Sequence, residues 1–226
     1  MSTLKNRLSQ KVNYYWQRLF MELLVVFLGV TAGFLLNNWQ LQEKDQVLEE
    51  KYLESFIEDV NSNIAELKKA INADSMWLAR ARPKLLLMKE GAISIDSANS
   101  LVRQIVSISR IDIQTGTYED ITNSGNLNLL SNYKVKKQIV DYHVEISGIE
   151  FIDTYFYDFF NDYVMPFVIE HYSVLKEKLI DARIIKSDRF GNIITSYYAV
   201  MQQRKAAYDN LLKQSYQLII HLEGEK

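Results

Sequence analysis

The clearest pattern in the sequence is one long apolar run near the N-terminus. It extends from Leu19 to Leu36 and contains one charged residue, Glu22. Aromatic residues typical of membrane–water interfaces bracket the run. They are Tyr14, Tyr15, Trp16 and Trp39. A helix from Trp16 to Trp39 would be about 35 Å long, enough to cross a bilayer and its interfaces. The pattern predicts a transmembrane helix over residues 16–39.

The charges around this run predict its orientation. Residues 1–18 contain no acid, whereas acidic residues outnumber basic ones directly after residue 40. The basic residues that precede the run are Lys5, Arg7, Lys11 and Arg18. Because such residues stay on the cytoplasmic side of a membrane, we expect a short cytoplasmic tail, residues 1–15, and an exocytoplasmic domain, residues 40–226. A tail of this length cannot hold a signalling output domain.

A cleaved signal peptide is the alternative interpretation of the same run. Thr31, Ala32 and Gly33 supply the small residues that a cleavage site needs. The apolar run continues beyond them to Leu36, which favours a retained anchor.

Two features inside the run are candidates for a role beyond anchoring. Glu22 lies near the cytoplasmic boundary, where it either reaches the interface beside Arg18 or serves as an intramembrane acid in an ion pathway or subunit contact. Gly29 and Gly33 form a GxxxG pair, which allows two membrane helices to pack closely. Glycine is also common in membrane helices generally, so the pair has an ordinary explanation as well.

Beyond residue 40, core positions recur alternately every four and three residues, as in coiled coils and bundle helices. The first such seam comprises Leu53, Ile57, Val60, Ile64, Leu67, Ile71, Asp74, Leu78, Ala81 and Leu85. The second comprises Val135, Ile139, Tyr142, Ile146, Ile149, Asp153, Phe156, Phe160 and Tyr163. The third comprises Phe190, Ile194, Tyr197, Met201, Arg204, Tyr208, Leu211, Ser215 and Leu218. The seams predict an all-α fold in which a membrane helix precedes an exocytoplasmic bundle of long helices.

Capping residues, Gly and Pro predict where these helices begin and end. The predicted starts are Ser97 or Asn99, a capping box from Thr117 to Asp120, Ser131 or Asn132, and Ser187. The predicted ends are Gly91, Ser109, Gly125, Pro166 and Leu222. Within the first long helix, Pro83 is a candidate kink, and Asp74 either fixes the register or marks a break.

The composition supports long helices and excludes several classes of protein. Only 2 Pro and 8 Gly leave little turn-forming capacity, and 12% aromatic residues exclude a disordered chain. A formal net charge of −2 gives no basic field for nucleic acid. With no Cys, the chain has no disulfide, thiolate metal site or cysteine nucleophile.

Catalytic and metal-binding motifs are absent from the sequence. His143, His171 and His221 lie on separate predicted helices without a second ligand one turn away. No HExxH, GxSxG, P-loop, Rossmann or calcium-loop pattern occurs. The acids Glu119 and Asp120 are explained by helix capping. We therefore predict no catalytic residue, no metal and no cofactor, in a protein that is not an enzyme.

The segment from Phe151 to Phe167 is unusually aromatic. Its rings do not follow one stripe, so a central helix that packs on several neighbours is one interpretation. The other is a contact surface for a protein or subunit. The candidate contact residues are Tyr155, Phe156, Tyr157, Phe159, Phe160 and Tyr163. A stacking site for a sugar or lipid has no supporting polar group.

Two segments resemble an uncharacterised family of single-pass inner-membrane proteins common in Bacteroidetes. The first runs from Glu22 through Gly29 to Asn37-Asn38-Trp39. It is an apolar helix that begins with a Glu and ends with Asn-Asn-Trp. The second is Tyr118-Glu119-Asp120-Ile121 with Ser124-Gly125-Asn126-Leu127 and Leu129-Leu130-Ser131-Asn132. The resemblance implies a bacterial inner-membrane protein with a periplasmic domain. The family has no established activity, so the resemblance supplies no catalytic residue.

Two functional hypotheses follow. The first is a membrane-anchored periplasmic scaffold or accessory subunit, whose partners are the lipid bilayer and either further copies of itself or a larger membrane complex. The second is a periplasmic ligand-sensing bundle that signals through a partner. A stoichiometric membrane partner would favour the first, and a small ligand that raises the melting temperature would favour the second.

Overall fold

The computed structural model describes residues 2–106 and 110–224, and it describes no side chain at residues 2–15, 17 and 18. It is 86% helical, which confirms the predicted all-α class. The α-helices are α1 Ser2–Lys89, α2 Ile95–Ile105, α3 Gly116–Asn123, α4 Tyr133–Phe159, α5 Met165–His171 and α6 Asp188–Glu223. Short 3₁₀ turns cover Asn126–Leu129 and Ala182–Lys186, and a π-helical turn covers Phe160–Val164. Two short antiparallel strands, β1 Tyr172–Ser173 and β2 Lys178–Leu179, pair through Tyr172 with Leu179.

The chain divides into two compact units, Met1–Lys51 and Tyr52–Lys226. Within the first unit, the predicted apolar run lies in α1. Among the described residues, one helix, α1, is long and apolar enough to cross a membrane. No part of its most apolar stretch is buried inside the protein.

The second unit is built around α4 and α6, which pack antiparallel, and the part of α1 that follows Tyr52. Every predicted seam position of α6 is buried, from Phe190 to Leu218. The N-cap Ser187 accepts a hydrogen bond from the Phe190 amide, as the sequence predicted. This helix was predictable because its apolar stripe is regular and its cap is a strong local signal.

The predicted seam of α1 is wrong at four positions, Ile57, Ile71, Leu78 and Leu85, whereas Ile64 is buried as predicted. The shared positions, of which Leu53 is the first and Ala81 the last, are buried. Between these shared positions, buried residues follow at intervals of three and then four residues, whereas the prediction had intervals of four and then three. The core therefore receives Phe56, Asn63, Ala70 and Trp77, whereas Ile57, Ile71 and Leu78 are half-buried. Two large rings fill the core on that side, and hydrogen bonds allow Asn63 to be buried among them.

Pro166 does not end the second long helix, contrary to the sequence prediction. The π-helical turn precedes it, and the Met165 amide donates to the Phe160 carbonyl five residues back. Pro166 then occupies the first turn of α5, where its missing N–H is tolerated. The π turn also adds one residue to the helical repeat. As a result Val164 enters the core and Tyr163, predicted as a seam residue, is 60% exposed.

Several helix ends follow the predicted local chemistry. Gly91 and Gly125 adopt positive φ values of 70° and 75° after α1 and α3, where a side chain would be strained. The start of α2 is earlier than predicted, because Ser94 rather than Ser97 or Asn99 caps it. Its predicted end at Ser109 lies outside the described residues, and its last described helical residue is Ile105.

Asn132 is the N-cap of α4, and its removal gives a first testable result. Its side-chain oxygen accepts hydrogen bonds from the Lys134 and Val135 amides, at 2.9 and 3.3 Å. Asn132→Ala is expected to lower the free energy of unfolding by about 1 kcal/mol. Urea denaturation followed by circular dichroism measures this change. The matched control Asn61→Ala, on an exposed turn of α1, should cost nothing, and equal losses in both variants would contradict the capping role.

Candidate functional site

The strongest concentration of charge in the protein interior is an ion pair between two predicted seams. Asp74 of α1 and Arg204 of α6 join through two hydrogen bonds, Nη2 to Oδ1 at 2.6 Å and Nε to Oδ2 at 3.1 Å. Both side chains are almost fully buried, with 4% and 3% exposed. The guanidinium also lies over the Phe156 ring of α4, 4.3 Å from its centroid. All three long helices therefore meet at this pair.

A second carboxylate extends this buried polar layer. The Tyr208 hydroxyl of α6 donates a 2.6 Å hydrogen bond to Oδ1 of Asp153 on α4. Burial raises the pKa of Asp153 above its ordinary value, and the Tyr208 hydrogen bond and the charge of Arg204 oppose that shift. Burial likewise raises the pKa of Asp74 against the opposing effect of Arg204. The layer thus places two carboxylates and one guanidinium among the three long helices.

Three donors at or near this layer have no hydrogen-bond partner in the part of the chain that the structure describes. Arg204 Nη1, Trp77 Nε1 and the Tyr157 hydroxyl are buried and have no hydrogen-bond partner among the described residues. Each such group carries a desolvation cost of about 1–3 kcal/mol. The Tyr208 hydroxyl is committed to Asp153, and the charge of Arg204 is neutralised by Asp74. We interpret this polar layer as a structural feature that fixes the axial register of the three helices.

A second buried cluster attaches the segment before α3 to α1. The Asn63 side chain accepts from the Gln114 amide at 2.6 Å and donates to the Gln114 carbonyl at 3.0 Å. It also donates to the Tyr142 hydroxyl at 3.2 Å, and Ser215 Oγ lies 3.2 Å from that same oxygen. Asn63 therefore pairs with this backbone as a neighbouring strand would, and it links α1, α4 and α6 at a second level.

The Tyr118–Ile121 and Ser124–Leu127 segments converge on one tyrosine of α1. The Tyr52 hydroxyl donates to Asp120 Oδ2 at 2.9 Å and accepts from Asn126 Nδ2 at 3.1 Å. Ser124 Oγ lies 3.5 Å away, and Ile121 is fully buried beside them. These residues dock α3 onto α1, so the segment has a structural role in the fold.

The predicted capping box at Thr117 is wrong. The helix begins at Gly116, and the Thr117 amide donates to Asp59 Oδ2 of α1 at 3.1 Å. A carboxylate from another helix therefore supplies the negative charge at this N-terminus. Asp120, predicted to complete the box, is held by Tyr52 instead. Sequence reasoning missed this because the cap comes from a residue far away in the sequence.

His143 is buried in an aromatic cage rather than placed at a ligand site. Its ring stacks on Tyr118, with centroids 3.8 Å apart, and packs edge-on against Phe56 and Tyr142. Burial lowers its pKa to about 4, although the charges of Asp59 and Glu119 oppose the shift. The imidazole is therefore neutral at pH 7 and serves as a packing group.

The other histidines have local contacts. His171 Nε2 lies 3.4 Å from Glu170, and His221 Nδ1 lies 2.7 Å from the Gln217 carbonyl. Within residues 2–106 and 110–224, no three His, Asp or Glu side chains converge in a geometry that could hold a metal ion. The predicted absence of catalytic residues and cofactors stays a prediction.

The predicted membrane residues lie on α1 in the first unit. Trp16 and Trp39 are 67% and 61% exposed, and Glu22 is also exposed. Gly29 and Gly33 have open space where a Cβ would stand. The side chains of two predicted interface anchors lie outside the described residues. They are Tyr14 and Tyr15.

The structure separates the six candidate contact aromatics into three pairs, which are buried, exposed and half-buried. Phe156 and Phe160 are 1% and 6% exposed and belong to the core, so their prediction as contact residues is wrong. They face inward because they continue the buried seam of α4. Tyr155 and Tyr163 are half or more exposed, whereas the other two candidates are half-buried. These two are Tyr157 and Phe159.

Comparisons of the chain with protein-family models, with curated proteins and with solved structures found no match. The described residues form an exposed apolar helix in the first unit. In the second unit they form a core that contains the buried ion pair of Asp74 and Arg204.

Proposed function

We propose that the protein is a membrane-anchored scaffold or accessory subunit whose anchor lies in the first unit and whose second unit is a helical bundle. The exposure of the apolar run carries this proposal. Leu23, Phe27 and Leu35 are 66%, 64% and 61% exposed, and no described residue of the chain covers them. Side chains of this kind are stable when hydrocarbon or another helix surrounds them.

The proposed topology places the N-terminus in the cytoplasm and residues 40–226 in the periplasm. The basic residues before the apolar run and the acidic residues after it support this orientation. The bacterial inner membrane as the location rests on the family resemblance of Glu22–Trp39 and Tyr118–Asn132. A retained anchor over residues 16–39 completes the arrangement.

The proposed role is assembly, through self-association or within a membrane complex. Gly29 and Gly33 leave room on one side of α1 for a neighbouring helix, because no side chain from beyond their chain neighbours and no backbone from beyond the adjacent turns of α1 lies within 4 Å of their Cβ positions. The buried polar layer supports a structural role for the second unit, since Asp74 and Arg204 satisfy each other's charge without a ligand.

Mass measurement of the full chain in mild detergent tests this proposal. We expect an oligomer or a stoichiometric complex for the wild type. Gly29→Leu combined with Gly33→Leu should shift the distribution toward monomer, because the added side chains separate packed helices. Thr31→Leu, about opposite to the glycines on the helix, is the matched control and should change nothing. A monomeric wild type that recovers no partner from native membranes would contradict the proposal.

A further inference from the structure

The second unit carries an exposed face, on α4 and the π-helical turn that follows it, that combines aromatic and acidic side chains. Phe151, Tyr155, Asp158 and Asp162 follow one another at intervals of four, three and four residues, so they share one side of the helix. Phe151 is 72% exposed and Tyr155 is 50% exposed. We call these four residues the acidic aromatic face. Its spacing is that of a packing seam, but the core lies on the opposite side of α4.

The stretch of sequence that carries this face has charge of one sign, and in the fold the charge of Arg110 also acts on Asp153 and Tyr157 of α4. From residue 138 to residue 175 the sequence contains seven acidic residues and no Lys or Arg. The ion pairs among the described residues include neither Asp158 nor Asp162. Two such faces placed against each other would bring like charges together, which disfavours association. A partner that suits this face is apolar and basic.

A face of that character lies on α1 of the same unit. Met76, Ala79, Pro83 and Leu86 follow one another at intervals of three, four and three residues and are exposed. Met76 is 46% and Leu86 is 57% exposed. We call these four residues, with the exposed flanking Arg80 and Arg82, the basic apolar face.

The charge around the second face has the opposite sign. From residue 68 to residue 89 the sequence contains six basic residues and one acid, Asp74. That acid is buried against Arg204 and neutralises none of the surface charge. Burial, with the like charges of Arg103 and Arg80, lowers the pKa of Lys84. Positive charge is therefore crowded at this end of α1.

The two faces lie at the same level of the second unit. The ring of Tyr197 on α6 contacts both Trp77 of α1 and Phe156 of α4. Both of these helices run antiparallel to α6, so they run parallel to each other. A rotation about an axis parallel to the helices therefore brings the acidic aromatic face of one unit beside the basic apolar face of another without sliding either along its length.

We propose that the acidic aromatic face of one copy binds the basic apolar face of a second copy. This inference rests on the proposed assembly role and locates a contact for it in the second unit. Because the two faces differ, the contact is head-to-tail and closes into a ring when the rotation allows. Arg80 and Arg82 of one copy meet Asp158 and Asp162 of the next, and the apolar side chains fill the space between them.

Charge reversal of the full chain in mild detergent tests this contact. Arg80→Glu with Arg82→Glu should weaken self-association about tenfold or more, and Asp158→Lys with Asp162→Lys should do the same. The matched control Lys134→Glu with Lys213→Glu changes two exposed bases elsewhere on the unit and should leave association unchanged. Circular dichroism melts verify that each variant is folded.

Mixing the two reversed variants gives the decisive result. Each variant alone presents two faces of one sign, whereas the mixture offers an acidic face and a basic face at every junction. We expect the two variants, which associate poorly alone, to associate with each other in alternation when they are mixed. A wild-type oligomer that neither reversal weakens, or reversed variants that do not associate on mixing, would overturn this contact and leave the proposed assembly role intact. A monomeric wild type without a partner would instead overturn the assembly role itself.

Discussion

Removing one partner of the Asp74–Arg204 pair is expected to lower the free energy of unfolding by about 3–5 kcal/mol. In Asp74→Ala the guanidinium keeps its charge in a site that is 3% exposed, with its other donor already without a partner. Arg204→Met leaves the carboxylate in the same position, and the variant also loses the contact between the guanidinium and the Phe156 ring. Chemical denaturation of the detergent-solubilised chain, followed by helical circular dichroism, measures both losses.

Replacing both partners together is the control that separates charge from volume. Asp74→Leu with Arg204→Met removes both buried charges and retains apolar bulk. We expect this double variant to be far more stable than either single variant, and close to the wild type, because no uncompensated charge remains. If the two single losses simply added in the double variant, the two side chains would not be acting as a buried pair.

Acidification should destabilise the protein through His143. The group has a pKa of about 4 when folded and about 6.5 when unfolded, so the unfolded chain binds the proton more readily between those values. The stability that neutral His143 contributes is present above pH 6.5 and is lost as the pH falls toward 4. From pH 7 to pH 5 the expected loss is about 2 kcal/mol, and about 3 kcal/mol over the whole range. Denaturation curves at a series of pH values measure it.

His143→Phe isolates this effect from that of the carboxylates. The substituted ring retains the stack on Tyr118 and the contact with Phe56, but it cannot titrate. The raised pKa values of Asp74 and Asp153 act in the opposite direction on acidification and are common to both proteins. We expect the variant to lose most of the decline between pH 7 and pH 5. An unchanged decline would mean that His143 is not held neutral by burial.

The fold was predictable where a local pattern is also the dominant packing pattern. The stripe from Phe190 to Leu218 is regular, so its predicted face is the buried one. On α1, two alternative spacings share every second position, and the predicted alternation of four and three passes through Ile57 rather than the buried Phe56. The choice depends on which neighbours α1 meets, which local sequence does not specify. The π turn before Pro166 is likewise set by packing and shifted the face of α4 by one residue.

The candidate site was predictable in its members but only partly in its contacts. Asp74 was predicted either to fix the register or to mark a break, and Asp153 and Arg204 were placed in the other two seams; all three belong to the buried polar layer. The role of Asn63 was missed, because its partner is the backbone of Gln114 rather than a side chain. The position of Tyr52 opposite Asp120 was missed for a similar reason, since long-range pairing leaves no periodic signal.

Single introduced cysteines measure the proposed topology most directly, because the chain contains no Cys and gives no background labelling. In spheroplasts, a membrane-impermeant maleimide should label Lys213→Cys and should not label Ser9→Cys until the membrane is permeabilised. This result is expected if residues 16–39 span the membrane with the N-terminus inside. Labelling of both cysteines in intact spheroplasts, or of Ser9→Cys alone, would contradict the anchored topology on which the proposed function depends.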